Sequence, residues 1–159
     1  MRYNSVQIVF QEIPTEISLG FQITGCPLRC SGCHSSHLWN SKLGSELDIA
    51  TLSTLIAKYR NYISCVLYLG GEWHVDELIA QLDHVRSHDL KTALYTGLDY
   101  FQVDSEVLRR LDYLKYGEYN AALGPLSSAR SNQKLVNIKT NEILNHYFIH
   151  GGEHDSVRC

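Results

Sequence analysis

The segment "YISCVLYLGG", residues 62–71, is a nearly continuous apolar run that ends in two glycines. A run of this length and composition is typical of a strand buried on both faces, as in a parallel sheet. Helical periodicity precedes it from Asp48, a predicted N-cap, to about Tyr59. The segment therefore predicts a central strand that follows a helix in an α/β domain.

The same alternation continues after this strand. A second helix is indicated by the spacing of the apolar residues Leu78, Ile79, Leu82 and Val85, and "TALYTG" (92–97) is predicted to form the next strand. Asp104 is predicted to cap a short helix before a further strand in "LDYLKYG" (111–117). Alternation of strand and helix over residues 48–117 favours right-handed βαβ units and a mostly parallel sheet.

Two segments before residue 48 alternate at period two instead. "SVQIVF" (5–10) and "ISLGFQIT" (17–24) are predicted to be strands, paired antiparallel across a turn at Pro14. The loop 25–39, "GCPLRCSGCHSSHLW", begins where the second of these strands ends.

The composition fits one globular domain over residues 1–159, with 44% hydrophobic and 19% charged residues. A formal net charge of -3 argues against a nucleic-acid partner, which usually requires a basic surface. No apolar run reaches the ~18 residues of a membrane span, and the first residues do not resemble a signal peptide. We therefore expect a cytoplasmic protein without a membrane or nucleic-acid partner.

The five cysteines favour a metal or redox site over a disulfide framework, because their number is odd and three lie in the loop 25–39. These three are Cys26, Cys30 and Cys33, spaced C-x3-C-x2-C. Cys65 lies in the middle of an apolar strand, where a buried, inert thiol is expected, and Cys159 is the last residue. Ligand sites in parallel sheets form at the carboxyl ends of the strands. The loop 25–39, "GGEW" (70–73) and "TGLDY" (96–100) each follow a predicted strand, so we expect them to lie on the same side of the sheet.

Three interpretations of the loop 25–39 remain open on spacing alone. An iron–sulfur cluster is favoured, because structural zinc ligands usually come as two separated pairs, whereas these residues all lie in one loop. Three thiolates around a four-iron cluster would leave one iron open for a substrate. A zinc site would use the same three cysteines and His37 as a Cys3His set. An ordinary thiol-bearing loop is the third, and a nucleophilic cysteine is the least supported, because one thiol would suffice.

The cysteine spacing, with "GGE" about 40 residues later at the end of the next buried strand, resembles the motifs of radical S-adenosylmethionine (SAM) enzymes. "LYTGLDY" (94–100) and "YLKYGEYNAALGPLSSARSNQKL" (113–135) are similar to the activating proteins of anaerobic ribonucleoside-triphosphate reductases. This resemblance spans roughly residues 5–138.

The resemblance implies a partial (β/α) radical SAM barrel that holds a [4Fe-4S] cluster and SAM. By the same resemblance, one-electron reduction cleaves SAM to methionine and a 5′-deoxyadenosyl radical, which takes a hydrogen atom from a glycine of the reductase. The implied partners are the glycyl-radical subunit of that reductase and a one-electron donor such as flavodoxin or ferredoxin. The implied cluster ligands are Cys26, Cys30 and Cys33, and the implied SAM-binding residues are Gly70, Gly71, Glu72, Thr96 and Gly97.

Two residues depart from the family pattern. His34 occupies a position that often holds an aromatic residue such as Tyr, and Trp73 follows "GGE" where many members have Pro or a small residue. These departures leave room for a relative that activates another glycyl-radical enzyme. The Cys3His interpretation of the loop gives a second alternative, a zinc-stabilised binding module without catalysis. The C-terminal tail from about residue 140 matches nothing in the family, and its second "GGE" (151–153) is expected to be a flexible end.

Overall fold

The computed structural model describes residues 1–149; the second "GGE" and Cys159 lie outside the described residues. Three short 3-10 turns, at Ser36–Trp39, Tyr100–Gln102 and Asn145–Tyr147, connect the regular elements. Those elements are, in chain order, β1 (Arg2–Val9), β2 (Ser18–Ile23), β3 (Ser45–Glu46), α1 (Ile49–Tyr59), β4 (Cys65–Leu69), α2 (Val75–Arg86), β5 (Lys91–Tyr95), α3 (Ser105–Leu108), β6 (Tyr113–Tyr116), β7 (Lys134–Asn137) and β8 (Glu142–Ile143).

The strands form one mixed, open sheet in the order β3-β1-β2-β4-β5-β6-β7-β8. Only the pairs β2–β4, β4–β5 and β5–β6 are parallel, and the four other neighbouring pairs are antiparallel. The predicted partial (β/α) barrel with a mostly parallel sheet is therefore wrong. Strands β3 and β8 lie at opposite edges of the sheet, so within residues 1–149 the sheet does not close on itself.

The physical reason lies in the strands that the sequence analysis did not predict. β3 and β8 have two residues each and β7 has four, too few for a hydrophobic period to be visible. After β6 the chain returns as the antiparallel strands β7 and β8, where another helix and parallel strand would have continued a barrel. Part of the tail from about residue 140 is thus an edge of the sheet.

The predicted α/β segment is otherwise present where expected. Asp48 caps α1 by accepting a 2.7 Å hydrogen bond from the Thr51 amide, and Asp104 caps α3 by accepting one of 2.7 Å from the Glu106 amide. β1 and β2 pair antiparallel, with Pro14 in the connection, as predicted. These elements are local in sequence, which is why periodicity and caps were sufficient to predict them.

The core lies on both faces of the sheet, since successive residues of a strand point to opposite faces. On one face Val66 and Tyr68 of β4 pack with the apolar residues of the three helices. On the other face Cys65 and Leu67 pack against Ile13 of the β1–β2 connection and further residues near the C-terminal end. The central strands are therefore buried on both sides and hold the loops at their carboxyl ends in place. Among the helices of residues 1–149, none is long and apolar enough to cross a membrane.

Candidate functional site

A cavity of about 230 Å³ lies at the carboxyl ends of the parallel strands. The loop 25–39 follows β2, the "GGEW" turn follows β4, and Thr96 and Gly97 follow β5. Parallel strands place these three connections on the same edge of the sheet, as the sequence analysis predicted. Seven of the eight predicted site residues line the cavity: Cys26, Cys30, Cys33, Gly70, Glu72, Thr96 and Gly97.

Gly71 is the predicted residue that does not line the cavity. Its backbone has a φ of 109°, and a Cβ atom there would lie 3.4 Å from Ile23 Cγ1 and 3.5 Å from Met1 Sδ. Gly71 therefore packs closely against Ile23 and Met1, in a backbone conformation that favours glycine.

The cysteine loop is fixed at both ends. The amides of Gly25 and Cys26 donate hydrogen bonds of 2.7 and 3.2 Å to the carbonyl of Leu38, a buried residue. Within the loop the Cys33 amide donates to the Cys30 carbonyl at 3.2 Å, which forms a tight turn between these two thiols. Backbone bonds thus hold the three cysteines on one short, closed segment.

Close packing joins this loop to the end of β5. A Cβ atom at Gly97 would lie 2.8 Å from Leu28 Cδ1 and 3.8 Å from Cys30 Sγ. A side chain at this position would have to displace the end of the Leu28 side chain, whereas the contact with Cys30 is of ordinary van der Waals length. Gly97 therefore allows Leu28 of the cysteine loop to pack closely against the end of β5.

The environment of two thiols favours their neutral form. Burial raises the pKa of Cys26, and hydrogen bonds from the Leu28 and Arg29 amides act in the opposite direction. Burial, followed by the charge of Glu118, raises the pKa of Cys30, while a hydrogen bond from the Tyr119 amide lowers it. These thiols keep their protons near neutral pH until a metal centre displaces them, and the amides are then placed to stabilise the thiolates.

Glu72 is the one acidic residue among the described residues that line the cavity, and 8% of its surface is exposed. Its Oε1 accepts a 2.6 Å hydrogen bond from Thr96 Oγ1, and its Oε2 is buried without a hydrogen-bond partner among the described residues. Burial raises the pKa of this carboxyl group. A buried, unpaired carboxyl oxygen is a site at which a ligand can supply the missing donor.

Lys115 of β6 also lines the cavity, and the sequence analysis did not identify it. Burial lowers its pKa to about 8, and the neighbouring Cys30, when ionised, acts in the opposite direction. Its Nζ lies 5.7 Å from the centroid of the Tyr95 ring. The available clue was a lysine inside the predicted strand "LDYLKYG", since a lysine is rarely buried without a partner.

The two histidines of the loop 25–39 do not line the cavity. His34 Nε2 is 3.4 Å from the Tyr119 hydroxyl, and the two rings meet edge to face. His37 is exposed and does not line the cavity. A tetrahedral Cys3His zinc site needs all four donors around one ion at about 2.0–2.3 Å, so the position of His37 speaks against that alternative.

The cavity fits a group larger than a single ion. Its volume of about 230 Å³ is several times the ~30 Å³ that one water molecule occupies in the liquid. Three of the four described cysteines line it, whereas Cys65, the first residue of β4, is buried among apolar residues at the end of that strand away from the cavity. No group of three His, Cys, Asp or Glu side chains within residues 1–149 is arranged around one ion. Three thiols around such a space fit the ligand chemistry of an iron–sulfur cluster.

Comparison with known families defines the class as an iron–sulfur protein. The family described as the 4Fe-4S single cluster domain matches residues 17–139, from the residue before β2 to just beyond β7. The match covers more than half of the chain and includes the cysteine loop and the "GGEW" turn, so the chain belongs to this family. No curated protein matches the chain at a significant level. The expected [4Fe-4S] cluster is thus supported, and its three cysteine ligands stay a prediction.

Proposed function

We propose that the protein is a radical SAM activase that generates a glycyl radical on the anaerobic ribonucleoside-triphosphate reductase. The observation that carries the proposal is a single cavity that contains three thiols, the glycine turn of "GGEW" and the unpaired Oε2 of Glu72. Cluster binding alone needs neither the turn nor the carboxyl group. Their presence beside the thiols supports a second, polar ligand next to the cluster.

The donor set suits a cluster with one open position. Cys26, Cys30 and Cys33 would hold three irons of a [4Fe-4S] cluster, whereas Cys65, the first residue of β4, lies at the end of that strand away from the cavity. The fourth iron would accept the amino and carboxylate groups of SAM. An open coordination position is the property that separates a catalytic metal site from a structural one.

The remaining residues offer polar partners for the methionine part of SAM. Glu72 Oε2 can accept a hydrogen bond from its amino group, and the Lys115 ammonium can pair with its carboxylate. Thr96 holds Glu72 in place through Oε1, and Gly70 exposes its backbone to the cavity. When bound, the reduced cluster and SAM supply a 5′-deoxyadenosyl radical, which takes one hydrogen atom from a glycine of the reductase.

The open sheet is consistent with a macromolecular substrate. A closed barrel would surround the cavity, whereas the sheet of residues 1–149 ends at β3 and β8 without closing. A partner protein can then complete the enclosure and exclude water from the reaction. The electron would come from a one-electron donor such as flavodoxin or ferredoxin.

Cluster binding is tested by anaerobic reconstitution with iron and sulfide. We expect an absorption band near ~400 nm, typical of a thiolate-held cluster, and about four irons per chain. Replacing Cys26, Cys30 and Cys33 together with Ala should abolish the band, and Cys65→Ala is the matched control that should keep it. Full reconstitution of the triple variant, or one zinc and no iron in anaerobically purified protein, would show that the assignment is wrong.

The activity is tested with the reconstituted protein, SAM, a reductant and the glycyl-radical subunit of the reductase. A glycyl radical detected by electron paramagnetic resonance, together with stoichiometric 5′-deoxyadenosine, supports the proposal. Cleavage of SAM with no radical on this reductase, but with one on another glycyl-radical enzyme, would replace the partner and keep the chemistry. No SAM cleavage by a fully loaded, reduced cluster would refute the enzymatic proposal.

A further inference from the structure

The indole of Trp73 contacts both segments that form the cavity. A Cβ atom at Gly70 would lie 2.7 Å from its Cη2, so the six-membered ring covers the end of β4. A Cβ atom at Gly25, the residue before Cys26, would lie 3.6 Å from its Nε1. The ring therefore extends from the "GGEW" turn to the start of the cysteine loop, with its nitrogen on the side of that loop.

The indole nitrogen of Trp73 lacks a hydrogen-bond acceptor among the described residues. Trp73 Nε1 is buried and has no hydrogen-bond partner within residues 1–149. An indole N–H can only donate a hydrogen bond, and a buried donor in a folded protein normally has an acceptor. The nearest acidic residue along the chain does not serve, because Glu72 bonds Thr96 through one oxygen and leaves the other unpartnered. The missing acceptor is expected to come from a bound group.

We expect the iron–sulfur cluster to bind on the side of the cavity where Trp73 and the three loop thiols lie. Trp73 lines the cavity together with all three loop thiols, and its nitrogen lies beside the residue that precedes Cys26. Cluster sulfides and cysteine thiolates carry negative charge and accept N–H hydrogen bonds. Hydrogen bonds to the sulfurs are one of the means by which a protein sets the reduction potential of such a cluster.

We propose that the indole N–H of Trp73 donates a hydrogen bond to a sulfur of the bound [4Fe-4S] cluster or to its Cys26 ligand, and thereby raises the reduction potential. Reduction adds negative charge to the cluster, so a donor stabilises the reduced form more than the oxidised form. The inference rests on family membership and on the predicted thiolate ligands. It goes beyond the proposed function, because it holds whatever substrate the cluster serves.

The test compares Trp73→Phe with Trp39→Phe, since Trp39 lines the same cavity and is the only other tryptophan of the chain. Each protein is reconstituted, its iron and sulfide are measured, and its midpoint potential is determined by redox titration in the absence of SAM. We expect Trp73→Phe to keep the cluster but to shift the potential to more negative values, and Trp39→Phe to keep the wild-type potential. Equal potentials for wild type and Trp73→Phe would overturn the inference.

A second measurement separates the hydrogen bond from packing. In the Trp39→Phe background the remaining tryptophan is replaced by 3-benzothienylalanine, which has the shape of the indole but carries sulfur in place of N–H. The same negative shift, together with loss of a proton coupling that exchanges in D₂O in electron–nuclear double resonance of the reduced cluster, supports the hydrogen bond. An unchanged potential in this isostere assigns any effect of Phe to packing and overturns the inference. Neither result bears on whether SAM is cleaved.

Discussion

Thr96 Oγ1 donates a 2.6 Å hydrogen bond to Glu72 Oε1 and joins the residues that follow two neighbouring parallel strands, β4 and β5. Thr96 Oγ1 also accepts a 3.0 Å hydrogen bond from the Leu98 amide, which fixes its orientation. The pair thus secures one carboxyl oxygen at the edge of the cavity and leaves the other without a partner among the described residues. The unpaired, buried Oε2 of Glu72 destabilises the unliganded protein, and it lies where a ligand is expected.

We predict that Glu72→Gln stabilises the metal-free protein at pH 8 by about 1 kcal/mol, because a buried carboxylate is costly. Burial raises the pKa of Glu72, so above pH 4.5 the folded state binds more protons than the unfolded state. Wild-type stability should consequently fall as the pH rises from 5 to 8, and the variant should lose this part of the dependence. Urea unfolding at both pH values measures it. The exposed Glu46→Gln variant serves as the control, and equal stabilities of Glu72→Gln and wild type at pH 8 would contradict the prediction.

Lys115→Met should stabilise the metal-free protein at pH 7 by about 2 kcal/mol, because the folded state pays to keep the ammonium group charged. Burial lowers the pKa of Lys115 to about 8, so between pH 8 and 10.5 the unfolded state binds more protons. Wild-type stability should therefore gain a contribution as the pH rises through this range, and Lys115→Met should lack it. The difference between the two proteins at pH 7 and at pH 10 isolates this contribution from that of the thiols. If SAM binds as proposed, the same variant should bind it more weakly despite its greater stability.

Gly70→Ala should destabilise the protein by about 3 kcal/mol, since it combines backbone strain with a clash against Trp73. The φ of Gly70 is 88°, and its Cβ would lie 2.7 Å from Cη2 of the indole. Gly32→Ala is the matched control: its φ is 73°, and its Cβ would meet nothing within 4 Å, so only the strain of about 1 kcal/mol remains. Thermal or urea unfolding gives both values. Combining Gly70→Ala with Trp73→Leu should recover part of the loss, and strict additivity of the two would argue against the clash.

Alkylation should distinguish the loop thiols from Cys65. Burial raises the pKa of Cys65 and it lies within the core, so it should react only when the protein unfolds. Cys26 and Cys30 are partly exposed, but burial raises their pKa values. Their labelling should therefore require a higher pH than the labelling of an ordinary exposed thiol. Peptide mapping by mass spectrometry after iodoacetamide treatment follows each site. Reconstitution should protect Cys26, Cys30 and Cys33 together, and protection of only one of them would contradict a shared cluster.

The antiparallel β7 and β8 show where local sequence information ended. β7 pairs with β6, which lies about twenty residues earlier in the chain, and β8 pairs with β7 across a short reversal. Neither strand is long enough to show a hydrophobic period. The β4 segment, in contrast, could be identified from its own residues, because a strand buried on both faces must be apolar throughout. A parallel core was therefore predictable, whereas the open, mixed sheet around it was not.

The sequence by itself determined the thiol spacing, the glycine turn and the strand ends that carry them, because each is a local property of consecutive residues. Only the tertiary structure decided that Thr96 bonds Glu72, that Lys115 faces the thiols' cavity, and that Trp73 extends between Gly70 and Gly25. These contacts join residues that are distant along the chain, or depend on the direction in which a side chain packs. Burial, which sets the pKa of Glu72 and of Lys115, exists only when the whole sheet has formed.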